Sequence, residues 1–138
     1  PYNFVKSIHA YVKEVIVDGF GWKYVPEKVG VSEIWAIINK KGTFNSSHNH
    51  PGSYLSAAYY VKAPNNCGNI HFYDPNEIKK FNSPSTEKLT ELSTSGFSIK
   101  PEEGHLLIFP SYLYHDVGKS LSDEDRIVIS FNVSILPN

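Results

Sequence analysis

Arg126-Ile127-Val128-Ile129-Ser130-Phe131-Asn132-Val133 is the stretch that decides the fold. Successive strand side chains point to opposite faces, so Ile127, Ile129, Phe131 and Val133 share one face and Arg126, Val128, Ser130 and Asn132 share the other. The apolar face needs a cover. One is available upstream, where Phe4, Ile8, Tyr11, Val12 and Val15 recur at helical spacing with Lys6, Lys13 and Glu14 off the stripe. This spacing predicts a helix over residues 3–16, stopped by Asp18-Gly19 and Gly21. Packed outside a sheet, it would bury the Ile and Phe face and leave Arg126 and Ser130 pointing into a barrel. An arginine inside a barrel needs an anion: its planar fork pairs with a carboxylate, and the Ser130 hydroxyl can donate to the same group.

Between the helix and this last strand the period is two. Residues 31–39 alternate and are apolar on both sides near the middle. Residues 54–62, 69–73, 96–100, 105–109 and 112–118 are short, rich in aromatic and β-branched side chains, and bounded by Gly, Pro, Asn or Ser. The expected fold is therefore mainly β, a sandwich, jelly roll or barrel with an N-terminal helix on one sheet. Residues 74–95 are polar with little periodicity and read as a long surface loop able to close over a substrate.

The chain has 138 residues, enough for one domain over 1–138 with a substantial core, and nine Tyr and eight Phe to fill it. Thirteen basic against fourteen acidic residues give a net charge of −1, which supplies no basic footprint for nucleic acid or an anionic membrane. The single cysteine, Cys67, cannot make an internal disulfide; with no charged-then-apolar leader, the expected compartment is the cytoplasm. The absence of any Met leads to the expectation that the natural start lies upstream.

Chemistry concentrates in His48-Asn49-His50, followed by Pro51-Gly52, and in His115, sixty-five residues after His50. Neutral imidazole suits iron, copper, nickel and zinc, and two rings one residue apart on extended chain can reach one ion. Pro51 favours extended backbone at His50 and, with Gly52, turns the chain at a strand rim. Three histidines on one face of an octahedral ion would leave positions open for a co-substrate and dioxygen. Asp74 is a weaker candidate for a third ligand should His50 point away. Arg126 has a surface alternative, pairing with Asp123, Glu124 or Asp125. His9 is expected in solvent, His71 and His105 as structural strand residues, and Cys67 as a loop thiol without an activating partner.

The order of His48-x-His50-Pro51-Gly52, Ser56-Ala57-Ala58-Tyr59-Tyr60-Val61, Gly68-Asn69-Ile70-His71-Phe72, Pro101-Glu102-Glu103-Gly104-His105-Leu106-Leu107-Ile108-Phe109-Pro110, His115 and Arg126 resembles the 2-oxoglutarate- and Fe(II)-dependent dioxygenases. Within them it looks closest to the prolyl-hydroxylase-like branch and its relatives in marine bacteria and phages, over about residues 35–133. The resemblance implies a double-stranded β-helix, the cupin-like jelly roll. It also implies iron(II) on His48 and His115, and 2-oxoglutarate with its distal carboxylate on Arg126, helped by Tyr60 and Ser130. Where the family usually has Asp or Glu, this chain has His50, a third imidazole. Hydroxylation of a peptide side chain or small molecule by O2, with succinate and CO2 as co-products and ascorbate as a stimulant, is the implied activity. A cupin-type metal enzyme that does not use 2-oxoglutarate and a non-catalytic jelly-roll binding module fit the same fold.

Overall fold

The computed structural model describes residues 2–76, 81, 84–88, 90 and 93–136. Helix α1 (Tyr2–Glu14) runs into a wide π-type turn at Val15–Gly19, so the regular helix stops two residues before the expected end. A single 3-10 turn at Pro26–Lys28 leads into the strands: β1 (Val29–Asn39), β2 (Asn45–His48), β3 (Leu55–Lys62), β4 (Ile70–Tyr73), β5 (Gly96–Ile99), β6 (Leu106–Pro110), β7 (His115–Val117) and β8 (Arg126–Ile135).

These form two four-stranded sheets, ordered β1-β8-β3-β6 and β2-β7-β4-β5, with antiparallel pairing in both. The chain crosses between sheets as it winds, which is the double-stranded β-helix, or jelly roll. The expected fold class is observed, including the helix on the outside of one sheet. Ile8, Val12 and Ile16 pack with Leu55, Ala57, Phe131 and Val133, all buried. Each large apolar side chain removed from water here stabilises the fold by about 1.5–3 kcal/mol. Phe4 extends the contact to Tyr59, their rings 5.3 Å apart. Tyr59 therefore faces the helix and Tyr60, the next residue, faces the interior.

Two strands differ from expectation for local reasons. Residues 112–118 do not form one strand: Leu113 N–H donates to Pro110 O and Ser111 N–H to Tyr54 O, which closes a turn and delays β7 until His115. Tyr112 and Tyr114 are consequently exposed. β1 is an edge strand whose first residues, Val29 and Val31, pack in the α1 core, whereas its outward Ile34 and Ile38 further along are 55% and 60% exposed. The loop expected over 74–95 falls partly outside the described residues. No helix among the described residues is long and apolar enough to cross a membrane.

Candidate active site

β2 and β7 pair so that His48 lies opposite His115, and β7 pairs with β4 so that His115 lies opposite Phe72. His50 follows two residues after His48, its N–H donating to Ser111 O at 2.9 Å before the chain turns at Pro51-Gly52. The result is a cluster of three rings with one potential ligand atom from each, all within 4.8 Å of one another. Among the described residues this is the one group of metal-ligating side chains so placed. Asp74 is not part of it; its carboxylate accepts the Asn76 N–H at 2.8 Å, in the turn after β4.

The local hydrogen bonds fix which nitrogens face the centre. A carbonyl oxygen only accepts, so His48 Nδ1–H donates to Ser46 O at 2.7 Å and His115 Nδ1–H donates to Leu113 O at 3.0 Å. With the proton placed on Nδ1, the Nε2 lone pair of each ring is left for a ligand, the arrangement by which backbone carbonyls orient metal-binding histidines. Burial among Phe72 and Phe109 pushes the His115 pKa down to about 4, with His48 and His50 adding to the shift against the opposing Leu113 hydrogen bond. Burial also lowers the pKa of His50, helped by His48. The donor set fits a borderline divalent ion.

The second half of the site is built on β8. Arg126 is 2% exposed, and its partners are Asn39 Oδ1 at 2.7 Å and the carbonyls of Cys67 and Gly68, each at 3.4 Å. Its Nε is buried with no hydrogen-bond partner. None of these contacts is an anion: Asp123 pairs with Lys41 and Glu124 with Lys62, and neither these nor Asp125 pairs with Arg126. Gly68 can approach this closely because it has φ of +88° and no side chain; a Cβ there would lie 2.0 Å from Gly118 O. Cys67 lies in the β3–β4 loop, as expected, and is buried there, which pushes its thiol pKa up.

A cavity of about 200 Å³ joins the two halves, lined among others by the three histidines, Tyr60, Arg126 and Ser130. That is below the roughly 300–1,000 Å³ of pockets that engulf drug-sized ligands, so it suits a small acid. Tyr60 is buried, and desolvation pushes its pKa up to about 12 despite the nearby Arg126, leaving a protonated hydroxyl able to donate. All six residues singled out from the sequence thus reach one cavity.

Other participants were not visible in the sequence. Asn39 holds Arg126, its own amide donating to Thr43 Oγ1 and Asn45 Oδ1. Trp35 lies against His50 with ring centroids 5.8 Å apart. The signal for both is register, since Asn39 faces Arg126 and Trp35 faces Ser130 across the β1–β8 pair. Of the remaining histidines, His71 Nδ1 pairs with Asp116, which also accepts from Tyr73 OH; these three residues lie on the face opposite His115. His105 is exposed beside Glu102, and His9 is exposed as expected.

Residues 33–132 match the family model described as "Putative 2OG-Fe(II) oxygenase". The chain belongs to this oxygenase family. Solved structures similar to this family member include a 2OG-Fe(II) oxygenase family oxidoreductase from Burkholderia pseudomallei, at 12% identity and TM-score 0.65 over 86% of this chain and 50% of that one. A Pseudomonas putida prolyl-4-hydroxylase aligns at 14% identity and TM-score 0.62 over 98% of this chain and 65% of that one. HygX from Streptomyces hygroscopicus, solved with nickel and 2-oxoglutarate bound, aligns at 15% identity and TM-score 0.56 over 78% and 58%. At these identities the likeness is one of fold. The chain spans between half and two thirds of the length of these structures. No curated protein matches it.

Proposed function

We propose that this chain is a non-haem Fe(II)- and 2-oxoglutarate-dependent oxygenase that hydroxylates a C–H bond of a peptide side chain or small molecule, releasing succinate and CO2. The observation that carries the reading is Arg126: a buried guanidinium, one nitrogen without a partner, facing a cavity that also holds three converging imidazoles. A buried cation is costly unless paired, and a carboxylate entering the cavity would supply the partner.

In this reading His48 and His115 hold the metal through Nε2, and His50 completes the set in place of the family's carboxylate. Arg126 binds the distal carboxylate of 2-oxoglutarate, with Ser130 and Tyr60 donating to it. Ser130 lies four positions along the strand from Arg126, about 13 Å, which a short diacid and an arginine side chain together bridge. The bound iron and 2-oxoglutarate would supply oxidative decarboxylation coupled to oxygen insertion. Phe72 and Phe109 exclude water around His115.

Anaerobic titration of Fe(II)-loaded protein with 2-oxoglutarate tests this, read by the weak visible charge-transfer band of a chelated 2-oxo acid. The band is expected in the wild type, absent in His115→Ala and shifted to weaker binding in Arg126→Ala. Metal binding without a band would transfer the lead to the cupin-type reading. Succinate formation in the presence of O2 and ascorbate then reports turnover.

A further inference from the structure

We propose that Glu33 is the substrate-recognition carboxylate of this site and takes a cationic group, an ammonium or guanidinium, on the side of the metal away from Arg126. The proposal rests on the oxygenase reading above and adds the class of substrate to it. Along the β1–β8 pair the inward-facing rungs run Asn39 with Arg126, Ile37 with Val128, Trp35 with Ser130, and Glu33 with Asn132. His50 lies against Trp35. The histidine cluster therefore sits between the closed end, where Arg126 is buried, and the end where Glu33 is exposed to solvent. A substrate arriving from solvent would meet the Glu33 rung.

The carboxylate is held by a chain of polar side chains whose last member, Ser111, also carries His50 on its backbone carbonyl. Asn132 Nδ2 donates to Glu33 Oε2 at 2.8 Å, Ser56 Oγ donates to Asn132 Oδ1 at 2.8 Å, and Ser56 and Ser111 share a 2.7 Å hydrogen bond. Asn132, Ser56 and Ser111 are 3%, 1% and 0% exposed. Three buried polar side chains are costly unless mutually satisfied, and here their satisfaction fixes the position of one carboxylate. No cation among the described residues pairs with it. The Trp35 ring, next to it on the same face, offers a surface over which a cation can lie.

The test uses the whole chain loaded with Mn(II) and 2-oxoglutarate, which needs no turnover. Proton line broadening of two probes is compared: Nα-acetyl-arginine amide and its neutral isostere Nα-acetyl-citrulline amide. The arginine probe is expected to bind near the metal about tenfold more tightly, as a charge-assisted hydrogen bond would give. In Glu33→Gln, whose amide oxygen can still accept from Asn132, the contrast should shrink to within about twofold at matched metal loading. Equal broadening by both probes, or none by either, overturns the proposal. So does loss of Mn(II) binding in Glu33→Gln, which would make the carboxylate a metal ligand. Failure of the wild type to bind Mn(II) and 2-oxoglutarate is scored separately by manganese relaxation, and sinks the underlying reading instead.

Discussion

The two faces of β8 are made by the same ten residues and obey different rules. Outward, Phe131 and Val133 are sealed beneath α1 and touch only apolar neighbours, so volume is the whole of their contribution. Inward, Arg126, Ser130 and Asn132 are as well buried, yet each is polar, and what matters is which atom meets which. The outer face is closed where α1 covers Phe131 and Val133, and Ile127 and Ile129 beyond it stay partly exposed without calling for any particular partner. The inner face is unfinished at Arg126 Nε, and that incompleteness is what marks it as a place for something else.

The contrast can be broken most forcefully from outside. Phe131→Ala should destabilise the protein by about 3–5 kcal/mol by denaturant unfolding, while the remaining folded molecules bind 2-oxoglutarate within about twofold of wild type. Loss of the band at matched folded fraction would show that packing and chemistry on β8 are not separable.

Next in size is a pH effect that belongs only to the interior. The His115 pKa is about 4 when folded and near 6.5 when unfolded, so below pH 6.5 the unfolded chain takes up a proton the native state refuses. Stability of the metal-free protein should be full above that point and fall as pH drops toward 4, by up to about 3 kcal/mol. His115→Gln should flatten the slope; an unchanged slope would place its origin elsewhere.

Arg126→Gln should weaken 2-oxoglutarate by about 2–3 kcal/mol, roughly a hundredfold, with little loss of stability, because the variant removes a buried charge along with its hydrogen bonds. A large drop in the unfolding midpoint would mean that Arg126 is chiefly a structural tie between Asn39 and the Cys67-Gly68 turn. The smallest effect is Ser130→Ala, expected to cost about 1 kcal/mol of 2-oxoglutarate affinity and almost nothing in stability.

What the sequence revealed and what it concealed follow the same division. The alternation of Arg126 to Val133 and the helical stripe from Phe4 to Val15 specified which faces meet, because period is a local property. The His48, His50 and His115 set was legible because imidazoles at strand ends are few. Asn39, Trp35 and the Glu33-Asn132-Ser56-Ser111 chain were not, since an asparagine or serine has meaning only once register sets it opposite a partner. Ser111 shows the difference well: in sequence it belongs to a turn after Pro110, yet in the fold it carries His50 on its carbonyl and Ser56 on its hydroxyl. The same turn cut short the strand expected over 112–118.

Asn39 and Arg126 are 87 residues apart, and β1 closes against β8. During synthesis the three histidines are all present once residue 115 has emerged, but the strand that forms the other wall, and the arginine with it, arrives last. Loop closure over such a span is slow and rewarded only when the final strand docks. The chain therefore acquires its potential metal ligands before it acquires the means to control what binds beside them, and a ribosome-bound or truncated product ending near residue 125 would carry the histidines without the socket.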